Sequence, residues 1–274
     1  MIQLGLIGYP LEYSLSPRIH YAALQACELD GTYSLFPIHS EDKEGLKKLV
    51  TRVRTGEING LNVTIPHKQN VLPLMDELTP TAKSIGAVNT IYLRNNKLTG
   101  DNTDARGFLS DLKKFMNNTE LEIGKSALVL GAGGSARAVV YALLNEGWNI
   151  TIAARRIDQA EELARQFANV RVMELNFQTF QPSNFQLIVN TTPLGMTPNI
   201  EQSPLPGNLS LPPHASIYDL VYNPRETKLV KDARSQGLNA TTGLGMLVEQ
   251  AVLAFELWTG HNLPGKILYD SVVE

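Results

Sequence analysis

The sequence contains a single cysteine, Cys27, so an internal disulfide is excluded and we interpret the thiol as a small buried side chain. It also lacks an apolar run near the roughly 18 residues that a membrane span requires. The first ten residues carry no basic segment of the kind that begins a signal peptide. We therefore expect a cytoplasmic protein with no membrane partner.

An excess of basic residues is also missing. The net charge is −3 and the pI is near 6.0, so no broad positive field is available for nucleic acid, and we expect no nucleic-acid partner. The histidines are scattered, with no helical pair and no cysteine partner, and therefore predict no metal site. They are His20, His39, His67, His214 and His261.

What the sequence does have is enough length and apolar content for two domains. It has 274 residues, of which 43% are hydrophobic, so each domain can bury a core of its own. Apolar strand patterns alternate with helical patterns along the chain. This alternation predicts an α/β protein whose sheets are mainly parallel.

The stretch from Ser126 to Arg156 predicts a strand, a glycine turn, a helix and a second strand. The turn reads GAGGSA, with Ala136 in the place of the third glycine of a dinucleotide-binding turn. Glycines without a Cβ let backbone N–H groups approach a pyrophosphate, and the helix N-terminus adds a favourable dipole. The pattern indicates a dinucleotide site; the alternative is a tight βα connection without a ligand.

Two arginines, Arg155 and Arg156, follow the second strand, and no acid occurs before Asp158. An NAD site typically has an acid here for the ribose 2′-OH, whereas an arginine suits the 2′-phosphate of NADP. Two guanidiniums can hold that phosphate with charge-assisted hydrogen bonds. The residues favour NADP; the alternative is that both arginines form the solvated start of the next helix.

Near the N-terminus, a loop with the sequence GYPLEYSLSP follows a predicted strand at Gln3–Ile7. Ser14 and Ser16 offer two hydroxyl groups beside a helix start, which suits an anionic carboxylate. Ser16 is interpreted equally well as the N-cap of the helix that continues to Ala26. Spacing alone leaves both interpretations open.

The sequence NVTIPHK follows another predicted strand at Ile58–Val63. Pro66 predicts the start of a short helix with Lys68 in its first turn, where the helix dipole disfavours a cation by a few tenths of a kcal/mol. An ammonium kept there is either aimed at a ligand or simply solvated. The interpretation of Lys68 therefore stays open at this point.

A predicted hairpin, with strands at 88–93 and 97–100, leads into the sequence GDNTDARG. Thr103 is predicted to cap a helix at Asp104–Phe115, with Asp104 in its acidic first turn. The carboxylate has either this capping role or a catalytic one. The segment from Met116 to Lys125 is polar and is predicted to link the two domains.

Eight ordered motifs together resemble the shikimate dehydrogenase family: SLSP, NVTIPHK, GAVNT, GDNTDARG, GAGGSARA, NTTPLGM, DLVYNP and TGLGMLVEQA. The resemblance covers nearly the whole chain. It implies reversible, NADPH-dependent reduction of 3-dehydroshikimate to shikimate, within the biosynthesis of chorismate and aromatic amino acids. It also implies a substrate domain at 1–104 plus 243–274, with the C-terminal helix returning to it, and a Rossmann-type NADP domain at 105–242.

The resemblance implies roles for named residues. A catalytic pair that handles the proton falls on Lys68 and Asp104, with Lys68 the expected proton carrier. Substrate contacts fall on this pair and on Ser14, Ser16, Asn62, Thr64, Asn89, Tyr222 and Gln250. Cofactor contacts fall on Gly131, Ala132, Gly133, Gly134, Ser135, Ala154, Arg155, Arg156, Gln159, Leu220, Gly243 and Met246.

The chain departs from the family pattern at the expected 2′-phosphate clamp. The usual Asn-Arg-Thr is replaced by Ala154, Arg155 and Arg156, and Gln159 stands where a second arginine is often found. We expect Arg156 to compensate. Two rival functions stay open, an NAD-using quinate/shikimate dehydrogenase and a non-catalytic relative that senses shikimate or NADP. A homodimer is compatible with the sequence, which does not determine the oligomeric state.

Overall fold

The computed structural model describes residues 1–116, 125–175 and 185–273. Residues 117–124, which make up most of the predicted link, lie outside this description. The chain forms two compact units, one made of Met1–Gly107 with Val248–Glu274 and the other of Phe108–Leu247. The sequence-based boundaries, after residue 104 and before residue 243, each lie a few residues earlier in the chain.

The elements of the described residues follow in chain order. The elements up to and including α4, the helix that crosses the first unit boundary, are β1 (Ile2–Gly8), α1 (Ser16–Ala26), β2 (Gly31–Pro37), α2 (Lys43–Arg54), β3 (Gly60–Val63), β4 (Glu77–Leu78), α3 (Pro80–Ile85), β5 (Thr90–Arg94), β6 (Lys97–Asp101) and α4 (Asp104–Phe115). Then come β7 (Ser126–Leu130), α5 (Gly134–Asn145), β8 (Asn149–Ala154), α6 (Ile157–Ala164), β9 (Val170–Glu174), β10 (Leu187–Asn190), β11 (Ser216–Asp219), α7 (Lys228–Ser235), β12 (Asn239–Thr242), α8 (Leu244–Thr259) and α9 (Gly265–Val273).

The first unit contains a mixed sheet of order β2-β1-β3-β5-β6-β4. Strand β1 runs parallel to β2 and β3, whereas β5 is antiparallel to both β3 and β6. The carboxyl ends of β1, β3 and β6 and the amino end of β5 therefore share one edge. The segments with the motifs SLSP, NVTIPHK and GDNTDARG follow β1, β3 and β6 at this edge.

The second unit contains a sheet of order β12-β11-β10-β7-β8-β9, in which every pair is parallel. Numbered from β7, this is the Rossmann strand order 3-2-1-4-5-6, which reverses between β7 and β10. The central strands β7 and β10 are nearly continuous apolar runs, as expected for a parallel sheet that is covered on both faces. The predicted α/β fold class, with its Rossmann-type second domain, is confirmed.

The C-terminal segment packs into the first unit, as the resemblance implies. The Trp258 indole Nε1 donates a hydrogen bond to the Ile91 carbonyl at 3.2 Å, and the Arg18 guanidinium donates to the Ser271 carbonyl at 2.6 Å. Gly60 lies against the Trp258 ring so closely that an added Cβ would be 2.3 Å from it. None of the helices in the three described ranges is long and apolar enough to cross a membrane.

Two local predictions near the N-terminal motifs are wrong. Helix α1 begins at Ser16 itself with Leu15 as N-cap, because Ser14 Oγ accepts the Ser16 N–H at 3.3 Å and the turn closes one residue early. The segment after Pro66 forms turns and a short 3-10 helix at Leu72–Leu74 rather than an α-helix from Pro66. Its chain is held instead by His67, whose buried ring donates from Nε2 to the Ile38 carbonyl at 2.7 Å.

Candidate active site

A buried ion pair lies at the polar edge of the first sheet. Lys68 Nζ is 2.6 Å from Asp104 Oδ2, and the two side chains are 10% and 6% exposed. Lys68 follows β3, and Asp104 begins α4 just after β6, so the sheet topology alone brings the two motifs together. A carboxylate at this distance holds the ammonium in one place and keeps its charge compensated away from bulk water.

The Asn89 amide connects this pair to its surroundings. Its Nδ2 donates to Asp104 Oδ1 and Thr103 Oγ1, each at 2.9 Å, and lies 3.3 Å from Gln250 Oε1. Its Oδ1 accepts the Thr103 N–H at 2.7 Å and the Thr90 hydroxyl at 3.0 Å. These acceptor contacts fix which way the amide faces, so the donor group points at Asp104. Four residues predicted separately, Lys68, Asn89, Asp104 and Gln250, thus form one buried polar cluster.

Asn62 joins this cluster through the backbone of Asn89. Asn62 Nδ2 lies 3.4 Å from the Asn89 carbonyl, and its Oδ1 accepts the Tyr33 hydroxyl at 2.8 Å. The His20 ring stacks on Tyr33 with centroids 4.4 Å apart. Burial lowers the pKa of His20 to about 3, and Asn62 opposes this shift only weakly, in a geometry that falls short of a hydrogen bond. The ring is therefore neutral and serves as packing behind Asn62.

The remaining first-unit candidates lie along the same edge of the sheet. Ser14 and Ser16 follow β1, and Thr64 follows β3 directly beside Gly8, where an added Cβ would be 2.3 Å from Thr64 Cγ2. Ser16 is buried, whereas Ser14 and Thr64 are half-buried. The hydrogen bond described above joins the two serines to each other. It does not join either serine to the Lys68 cluster.

In the second unit, the glycine turn has the geometry expected of an anion cradle. Gly131 has φ +104°, in the left-handed region, and at Gly133 an added Cβ would meet nothing within 4 Å. Gly133 is the N-cap of α5, and no side chain caps this helix start. Ala132, Gly134 and Ser135 complete the turn. Open space above an uncapped helix N-terminus fits a pyrophosphate.

The predicted 2′-phosphate clamp follows the carboxyl end of β8. Ala154 is buried, Arg155 and Arg156 are exposed, and Gln159 is half-buried in the first turn of α6. Within the described ranges, neither guanidinium forms a hydrogen bond or an ion pair. Both are therefore available to an anionic group at the mouth of this strand.

The last candidates of the second unit cluster where β11 and β12 end. Leu220 and Tyr222 follow β11, and Gly243 precedes α8, so close to Leu220 that an added Cβ would be 2.3 Å from its carbonyl oxygen. Met246 is buried in the first turn of α8. No group of three or more potential metal ligands occurs among residues 1–116, 125–175 and 185–273.

Three protein-family descriptions match this chain. They are the shikimate dehydrogenase substrate binding domain at residues 6–91, shikimate/quinate 5-dehydrogenase at residues 114–192 and the shikimate 5′-dehydrogenase C-terminal domain at residues 243–269. A shikimate dehydrogenase (NADP(+)) from Carboxydothermus hydrogenoformans is 43% identical over 272 residues, which cover 98% of this chain and 95% of that protein. The chain belongs to the shikimate dehydrogenase family.

Solved structures of shikimate dehydrogenases agree with the fold over its whole length. One, in complex with NADP+, has a TM-score of 0.90 at 34% identity and matches 100% of this chain and 95% of that chain. Another, from Thermus thermophilus in complex with NADP(H) and shikimate, has a TM-score of 0.86 at 35% identity and matches 99% and 98%. Each of these shikimate dehydrogenases therefore spans both units seen here.

Several residues that hold the cluster in place were either not predicted from the sequence or were predicted in another role. Thr103 was predicted to cap α4, but its hydroxyl bonds to Asn89, and Asn102 Oδ1 accepts the Ala105 N–H of the helix start at 3.3 Å. Tyr33 was not predicted, and Thr90 was quoted only within the GAVNT motif without a role, because each lies in an ordinary strand pattern. What they share is a polar group on a buried strand, which must find a hydrogen-bond partner.

Proposed function

We propose that this chain is an NADP-dependent shikimate dehydrogenase, which interconverts 3-dehydroshikimate and shikimate. The proposal rests on one observation above all: in a member of this family, a buried Lys68–Asp104 pair with a 2.6 Å contact lies at the polar edge of the first sheet. We assign substrate binding to that unit and dinucleotide binding to the second.

Reduction of a ketone requires a proton at oxygen and compensation of the negative charge that develops there. The Lys68 ammonium is a proton donor and a cation, and Asp104 fixes its position. We assign the proton to Lys68 and its orientation to Asp104. Because both groups are already buried, little rearrangement of water is needed when a substrate arrives.

Binding of a polyhydroxylated carboxylate requires hydrogen-bonding groups of both kinds around a ring. The amides of Asn62, Asn89 and Gln250 supply donors and acceptors on the Lys68 side of the edge. Ser14, Ser16 and Thr64 supply hydroxyls at the ends of β1 and β3, and we assign the carboxylate to the two serines. We also assign Tyr222 of the second unit to the substrate.

The second unit has the groups that NADP requires. Gly131–Ser135 and the N-terminus of α5 would hold the pyrophosphate, and Arg155 with Arg156 would hold the 2′-phosphate. The nicotinamide would contact Leu220, Gly243 and Met246. The adenosine side of the cofactor would contact Ala154 and Gln159. When bound, NADPH supplies the hydride.

A steady-state assay tests the function directly. We expect the purified chain to reduce NADP+ in the presence of shikimate, with a much higher kcat/KM than for NAD+ or for quinate. A preference for NAD+ with quinate would favour the quinate dehydrogenase alternative. Tight binding of shikimate without turnover under all combinations of the two substrates and two cofactors would make the chain a sensing relative and refute the proposal.

A further inference from the structure

The buried ends of β10 and β11 hold a polar pair that the proposed reaction does not use. Asn190 and Asp219 are the last residues of their strands and lie in register with each other, and both are fully buried. Asn190 Nδ2 donates to Asp219 Oδ1 at 2.7 Å. Within the described part of the chain, this carboxylate has no ion-pair partner, so hydrogen bonds alone compensate its burial.

The Asp219 carboxylate organises the segment that follows its own strand. Its Oδ1 also accepts the Val221 N–H at 3.0 Å, and its Oδ2 accepts the Thr227 hydroxyl at 2.7 Å. Thr227 in turn caps α7. The loop that contains Leu220 is therefore held at both ends, and the Leu220 N–H donates to the Asn190 carbonyl at 2.9 Å.

Asn190 organises the segment after β10 in the same way. Its Oδ1 accepts the Thr192 hydroxyl at 2.7 Å and the Thr192 N–H at 2.9 Å. The neighbouring Thr191 hydroxyl donates to the Leu130 carbonyl at 2.7 Å, and an added Cβ on Gly131 would be 2.8 Å from Thr191 Oγ1. The first glycine of the turn thus rests directly on the segment that Asn190 fixes.

We propose that Asn190 and Asp219 are positioning residues for the dinucleotide. They join the carboxyl ends of β7, β10 and β11, so that the glycine turn and the Leu220 loop keep a fixed spacing on either side of the strand-order reversal. Ligands of open α/β sheets bind at this point, and preorganised supports of a site decide its precision. The inference rests on the proposed function, because it assigns NADP to these two loops.

Binding of NADP+ to the full chain, measured by isothermal titration calorimetry, tests this role without requiring turnover. Asp219→Ala removes the hydrogen bonds to Asn190, Val221 and Thr227. We expect its Kd for NADP+ to rise at least about tenfold, the factor that corresponds to one hydrogen bond to a charged group. Asp219→Asn keeps an acceptor for Asn190 and Val221, and the Thr227 hydroxyl can turn to accept. We expect this variant to restore an affinity close to wild type.

The matched control is Ile217→Val, a buried truncation on the same strand, two residues before Asp219. It should lower the thermal midpoint and leave the Kd for NADP+ unchanged. If Asp219→Ala does not fold, Asn190→Ala tests the other half of the contact, with the same expected loss. Unchanged NADP+ affinity in whichever alanine variant folds, or an Asp219→Asn variant as weak as the alanine variant, would overturn the proposal.

The two levels of inference fail separately. A wild-type chain that oxidises shikimate with NADP+, together with alanine variants that bind NADP+ normally, would leave the function intact and remove the positioning role. A wild-type chain that binds NADP+ but does not turn over shikimate would remove the function. A weakened alanine variant would in that case still support the positioning role.

Discussion

Lys68 Nζ lies 2.6 Å from Asp104 Oδ2, although the two residues are 36 positions apart in the sequence. The other carboxylate oxygen of Asp104 accepts the Asn89 amide at 2.9 Å, so both oxygens are engaged and the carboxylate cannot rotate freely. The position of the ammonium is consequently set by a chain of contacts that reaches from β3 through α4 to β5. This relationship underlies the first prediction.

Replacing Lys68 with alanine should remove the proposed proton donor while leaving in place Ser14 and Ser16, the serines assigned to the substrate carboxylate. We expect kcat to fall on the order of 10²- to 10⁴-fold, the usual contribution of general acid–base catalysis, with little change in the KM for shikimate. Steady-state kinetics with saturating NADP+ measure both. The control is Lys97→Ala, which breaks only an exposed ion pair with Glu77 and should leave turnover unchanged. Near-normal turnover in Lys68→Ala would exclude Lys68 from the mechanism.

Replacing Arg155 with alanine should weaken NADP+ selectively, because only NADP+ carries the 2′-phosphate. We expect a loss of roughly 1.5–3 kcal/mol in NADP+ binding, the range for a hydrogen bond to a charged group, and almost no change in NAD+ binding. Arg156→Ala should act in the same direction, since Arg156 is expected to replace the missing partner of the clamp. Calorimetric titration with both cofactors measures the difference.

The control for the clamp is Arg165→Ala, at the end of the same helix region, where the arginine pairs with Glu161 on the exposed surface. It should bind both cofactors as the wild type does. An equal loss of NADP+ and NAD+ affinity in Arg155→Ala would mean that Arg155 does not contact a 2′-phosphate.

The buried ring of His20 should make the protein less stable in acid. Burial lowers the pKa of His20 from 6.5 to about 3. The contribution of the neutral ring to the free energy of unfolding is therefore complete above pH 6.5 and is lost as the pH falls towards 3. Between pH 6.5 and 4.5 the loss of unfolding free energy amounts to about 2 kcal/mol. His20→Phe keeps the stack on Tyr33 without titrating, so its free energy of unfolding should fall less over this interval. Parallel acid losses in urea unfolding of the two proteins would contradict the assignment.

Asp219 should have the opposite effect to His20, because it should stabilise the protein more in acid than at neutral pH. Burial raises the pKa of Asp219 from 3.8 to about 6, against the smaller effects of its hydrogen bonds to Thr227, Val221 and Asn190. The native state therefore binds this proton more tightly than the unfolded chain does. The contribution of Asp219 to the free energy of unfolding is complete below pH 3.8 and is lost as the pH rises through 6. Relative to Asp219→Asn, the wild type should lose about 3 kcal/mol of unfolding free energy over this range. Urea unfolding of both proteins at several pH values measures it, and a constant difference would be evidence against a titrating Asp219.

The part of the fold that could be predicted from the sequence is the part set by local patterns. The glycine turn between β7 and α5 and the helix from Asp104 to Phe115 were predicted closely, because apolar runs, glycines and capping residues act over a few positions. The prediction of a helix after Pro66 was wrong, because a long-range hydrogen bond from His67 to the Ile38 carbonyl holds that segment. The short β4, α3 and β12 were not predicted, since so few residues carry no clear periodicity.

The candidate site divides in the same way. Lys68, Asp104 and Asn89 could be named from motifs, and the β5–β6 hairpin was predicted from its turn. Their mutual contacts also depend on the antiparallel pairing of β5 with β3, which no local pattern encodes. Asn190 and Asp219 did carry a signal. Each is a polar residue at the last, buried position of a parallel strand, on the edge where open α/β sheets typically bind ligands.

The Asn89–Gln250 contact spans 161 residues, and the Trp258–Ile91 contact spans 167. Lys68 and Asp104 are translated before the second unit, whereas Gln250 and Trp258 are translated after it. The ribosome must therefore complete residues 108–247 before these two late partners are made. A prematurely terminated polypeptide would therefore contain Lys68 and Asp104 yet leave Gly60 and the Ile91 carbonyl without the indole ring of Trp258.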